Sequence, residues 1–115
     1  MTEQSALSYL YELAEGDMGF VTEILDLMYK NIPADIISIE NAIAANDIQQ
    51  VKRAAHHMKS SIQYSNYIDL SELISEIEIK KDLAESIAQV KELLPELKKL
   101  SGNLMQYIEA EKKKL

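Results

Sequence analysis

Two adjacent histidines, His56 and His57, stand in the stretch from Val51 to Ile62, and the chain has no others. Lys52, Arg53 and Lys59 surround them. An imidazole near neutral pH keeps a nitrogen lone pair for nucleophilic attack. Ammonium groups beside it disfavour its protonation, and they would stabilise a phosphoryl group placed on that nitrogen. Between Asp47 and Tyr64 there are three bases and one acid, in a chain whose net charge is −7. A basic patch on an acidic protein points to an acidic partner or a phosphoryl group; a solvated helix face is the bland alternative.

The elements that position these residues must be helices. A chain of 115 residues fits a single domain, residues 1–115, with a modest core. Three Gly and two Pro are too few for a turn-rich β protein, while Leu, Ile, Ala, Glu and Lys favour helix. The absence of Cys excludes disulfides and thiolate sites. The acidic net charge argues against general nucleic-acid binding. No long apolar run or leader-like pattern stands out, so no membrane association is expected and a cytoplasmic location is the default.

In chain order, Leu7, Leu10, Tyr11 and Ala14 predict a short helix over residues 6–14. Gly16-Asp17 ends it and starts the next. Phe20, Ile24, Leu27 and Met28 mark a helix over residues 18–31, and Pro33 is expected to open a new one carrying Ile36, Ile39 or Ile37, and Ile43. Asn46 and Asp47 both suit the N-cap of the histidine-bearing helix, expected to reach about Tyr64. Ser65-Asn66 reads as a turn, with Asn tolerating a left-handed backbone. Leu70, Leu73, Ile74 and Ile77 form the next stripe, and Lys80-Lys81-Asp82 a polar connection. The last helix, from Ala84 to about Lys112, carries Ile87, Val90, Leu94, Leu97, Leu104 and Ile108, with Ser101 interrupting the seam and Pro95 expected to kink it. The fold expected is all-α: an antiparallel four-helix bundle with an additional short N-terminal helix.

A turn of about 100° per residue separates the two histidines. With Val51 at zero, Ala54, Ala55, Met58 and Ile62 fall within roughly 60° and define the core face. His56 falls at about 140°, flanked by Lys52, Lys59, Ser60 and Gln63, whereas His57 falls at about 240° on the other flank. Diverging histidines do not make the i, i+4 pair of a zinc site, so no metal is expected. His56 is the candidate nucleophile on an exposed basic strip; an incidental surface histidine is the alternative.

The segment Ala55-His56-His57-Met58-Lys59-Ser60-Ser61 resembles the A-H-x-L-K-G-S signature of histidine-containing phosphotransfer (HPt) domains. The resemblance extends over roughly Leu10 to Leu104, through Gly16-Asp17, Phe20, Met28, Pro33 and Asn46-Asp47. It implies that His56 accepts phosphate from a receiver-domain aspartate and passes it to another receiver, as a phosphorelay intermediate rather than an enzyme with its own nucleotide site. The expected partners are response-regulator receiver domains and a sensor or hybrid histidine kinase. Any Mg²⁺ would come with the receiver, so no cofactor is expected here. Lys59 matches the family lysine that neutralises the phosphoryl oxygens. Glu78 falls where the family often has Gln or Glu, and could hold the other ring N–H of His56; a plain surface glutamate is the competing reading. Lys52, Ser60 and Gln63 are candidates for partner binding, Gln63 also fitting a merely solvated position. Ser60 stands where the family usually has Gly, and Asn66 replaces a Gly after the helix.

The rival expectation is a non-catalytic helical-bundle module that binds a receiver or partner helix without transfer; a hydrolase or metalloenzyme comes third. A monomer is the default state.

Overall fold

The computed structural model describes residues 3–80 and 84–115. It contains α1 (Glu3–Ala14), α2 (Met18–Ala44), α3 (Ile48–Ser61), α4 (Ile68–Glu78) and α5 (Ala84–Lys112). Lys81 and Asp82, in the expected polar connection, lie outside the described residues.

Helices α2 to α5 close a ring in which α2 packs on α3, α3 on α4, α4 on α5, and α5 back on α2. Helix α1 lies along the α2–α5 edge. The direction of α5 against α2 can be read from two ion pairs, Lys98–Glu40 and Lys112–Asp26. As the number rises along α5 it falls by the same amount along α2, so the pair is antiparallel. The interior is one cluster that includes Leu25, Met28, Ile39, Met58, Ile74, Leu97 and Leu104. The long axis of 47 Å follows the two long helices, α2 and α5.

Local chemistry sets the helix ends. Asp17 caps α2 by accepting from the Phe20 amide, and Asp47 caps α3 by accepting from Gln50. Gly16, at φ 88°, takes the left-handed conformation that closes α1. The left-handed asparagine is Asn46, at φ 54°, rather than Asn66. Asn66 is held otherwise: its amide donates to Ala6 O and its side-chain oxygen accepts from the Tyr9 amide, tying the turn to α1.

Pro33 does not divide α2 into two helices; the helix runs from Met18 to Ala44 without a break. The reason lies in the phase of its buried face. Ile24, Met28, Ile32, Asp35, Ile39 and Ile43 follow one another at spacings of three and four across the proline. Pro33 itself is exposed, so its ring faces water and leaves the buried face intact. Pro95 is likewise exposed inside a continuous α5. Leu27 and Ile37 fall off the buried face and are exposed, while Ile39 is fully buried. Helix α3 ends at Ser61, short of Tyr64, because both the Ser65 amide and its hydroxyl turn back to Ile62 O.

Candidate functional site

Helix α3 buries Val51, Ala54, Ala55 and Met58 against the bundle, and Ile62 follows them into the core. That orientation puts both histidines outside, with side chains 71% and 66% exposed for His56 and His57. They turn toward different helices. His56 leans on α4 and His57 on α2.

His56 Nδ1 lies 2.5 Å from Glu78 Oε1, at the last turn of α4. Lys59 Nζ lies 3.5 Å from the other oxygen of the same carboxylate. The His56 hydrogen bond, with Lys59 adding to it, holds the Glu78 carboxyl below its ordinary value against the opposing effect of burial. Glu78 is therefore ionised at neutral pH and can only accept. The proton in the short contact belongs to His56 Nδ1, and Nε2 lies across the exposed ring from Glu78.

Lys52 and Ser60 join His56 and Glu78 in lining one open hollow. Lys52 makes no ion pair among the described residues. Ser60 folds its hydroxyl back toward His56 O at 3.4 Å, so a small side chain covers this part of the helix. Gln63 is placed elsewhere, in a neighbouring hollow with Leu27, Asn31 and Tyr64 between α2 and the end of α3. The helical wheel put Gln63 beside His56, but the helix ends before it, and a step of about 100° no longer applies. His57 and Ser60 border both hollows, so the two form one surface.

Sequence reasoning missed Asp35. It is 4% exposed on the buried face of α2, where its Oδ1 lies 2.5 Å from His57 Nδ1 and its Oδ2 accepts from Ser61 Oγ at 2.7 Å. The signal was present in the sequence: Asp35 stands in phase with Ile32 and Ile39, and a carboxylate on an apolar face requires partners. Among the described residues no group of three His, Cys, Asp or Glu side chains is placed to hold a metal ion. No helix in the described residues is long and apolar enough to cross a membrane.

The chain is thus an antiparallel helical bundle carrying an exposed histidine, with one ring nitrogen tied to a carboxylate and lysines beside it. The family model described as Hpt domain matches residues 23–106, and the chain belongs to that family. Hpt domains are histidine phosphotransfer intermediates of two-component phosphorelays, which exchange phosphate with receiver domains and carry no nucleotide site of their own. A search of curated proteins finds no match, and neither does a search of solved structures.

Proposed function

We propose that His56 is the phosphoacceptor of this domain, taking phosphate from a receiver-domain aspartate and returning it to another receiver. The observation that carries this reading is the pinned ring: Glu78 holds Nδ1–H, so the nucleophilic nitrogen is Nε2, which faces out. Nε2 attacks the phosphorus of the aspartyl phosphate, the acyl P–O bond breaks, and the aspartate leaves as a carboxylate. Nδ1 keeps its proton, and the positive charge that develops on the ring is met by Glu78. Lys59 swings from Glu78 to the phosphoryl oxygens. The receiver supplies the Mg²⁺ that balances the charge on its own side.

The receiver's acidic pocket docks over the strip of Lys52, His56 and Ser60, with Gln63 and exposed Leu27 at the far edge of the surface. Ser60, one hydroxymethyl larger than glycine, narrows the set of receivers that fit.

The test is incubation with a phosphorylated receiver, using the parent protein and His56→Gln. The parent should take up an acid-labile label, as expected of phosphohistidine, while His56→Gln takes none at unchanged helicity. Full labelling of His56→Gln defeats the assignment, and no label on the parent makes the bundle a binding module.

A further inference from the structure

The proposed relay uses one of two similarly built histidines. His57 has its own carboxylate, and that carboxylate is the more deeply buried of the pair, with a side chain 6% exposed against 24% for Glu78. Burying an ionised carboxyl is costly unless each oxygen is bonded. Both oxygens of Asp35 are used, one by His57 Nδ1 and the other by Ser61 Oγ. The Ser61 hydroxyl also lies 3.1 Å from His57 O, so the clamp is anchored to the same turn of α3 as the ring it orients. The result is an imidazole fixed by a rigid partner, with Nε2 directed outward from a largely exposed ring.

A cation borders the same hollow as this ring. Arg53 is one turn before His57 on α3, at the i, i+4 spacing that brings side chains together, and both border the same hollow. Its guanidinium donates through Nε and Nη2 to Gln50 Oε1, and it pairs with no carboxylate among the described residues. A planar fork with donors to spare suits phosphoryl oxygens. A histidine and an orienting carboxylate thus recur on the α2 side, His57 and Asp35 beside His56 and Glu78, with Arg53 at the edge of the hollow that both rings border.

We propose that His57 is a second phosphoryl-accepting site, modified by small phosphoryl donors that need no docking surface. With phosphoramidate, the Nε2 lone pair attacks phosphorus as the P–N bond of the donor breaks. Ammonia leaves with the proton already on the phosphoramidate nitrogen. His57 keeps its Nδ1 proton, and Asp35 balances the charge gained by the ring. The site does not depend on His56 serving a receiver: it is read with a different donor, on a protein that lacks His56.

The experiment is phosphoramidate labelling of His56→Gln, followed by peptide mapping at neutral pH. The expected result is one acid-labile phosphoryl group on His57, appearing faster on the folded protein than on the same chain in denaturant. Adding Asp35→Asn should reduce that advantage, and adding Arg53→Gln should slow labelling at unchanged helicity. No label at His57, or equal labelling of folded and unfolded chains, overturns the proposal. The folded-against-unfolded comparison and Arg53→Gln carry the test even if Asp35→Asn does not fold. Failure of a phosphorylated receiver to label His56 would leave this result untouched, which separates the two assignments.

Discussion

Replacing Glu78 tests how the site divides its work between orienting a ring and balancing a charge. Glu78→Gln keeps a carbonyl that can accept from His56 Nδ1–H but removes the negative charge now 2.5 Å away. A hydrogen bond to a charged group contributes about 1.5–3 kcal/mol and a neutral one about 0.5–1.5, so the exchange loses about 1 kcal/mol, or roughly fivefold in rate. Glu78→Ala removes the acceptor altogether and loses about 2 kcal/mol, roughly 30-fold. Two effects trim these figures. Glu78 is 24% exposed, so solvent screens part of its charge. Its removal also frees Lys59 for the phosphoryl group, but a pair at 3.5 Å with a half-exposed lysine returns only about 0.2–1 kcal/mol. The ordering therefore stands: parent fastest, Gln intermediate, Ala slowest. Single-turnover transfer from a phosphorylated receiver measures it, and added salt should narrow the gap between parent and Gln. An Ala variant as fast as the parent refutes the tether, and a Gln variant as slow as Ala refutes the orienting part of the argument.

The same carboxylate links the site to pH. Glu78 has a folded value held below its ordinary one by His56, so its contribution to stability is present above the ordinary carboxyl range and is lost as pH falls through the folded value. The stability difference between parent and Glu78→Gln, followed by urea unfolding, should shrink below about pH 4. Pro33→Ala restores a helical N–H at an exposed position in the middle of α2 and should stabilise by up to about 3 kcal/mol, read as a higher urea midpoint with no change in transfer. Ser101 has a buried hydroxyl with no partner among the described residues, so Ser101→Ala should stabilise by about 1 kcal/mol in the same assay.

The face of α3 was legible because its buried residues are small or aliphatic at strict helical spacing, and Asp47 announces its start. The four-helix ring with a short leading helix followed from stripes of the same kind. Pro33 misled because a local rule was weighed above the phase of the stripe, which passes through it unchanged. Gln63 was misplaced because the wheel assumes a helix that Ser65 has already turned away. Asp35 stayed hidden because its partners, His57 and Ser61, are 22 and 26 residues distant, and only the packing of α2 on α3 brings them together. Glu78 illustrates the reverse: a resemblance suggested a partner for His56, and the packing of α4 on α3 supplies the contact.

The central claim concerns one nitrogen of one residue. Phosphorylating the protein with a receiver and examining it by heteronuclear NMR of the imidazole nitrogens and phosphorus locates the new bond directly. The account predicts a phosphorus–nitrogen bond at Nε2 of His56, with the proton retained on Nδ1 and donated to Glu78. A phosphoryl group on Nδ1 of His56, or on any other residue after receiver transfer, would contradict it.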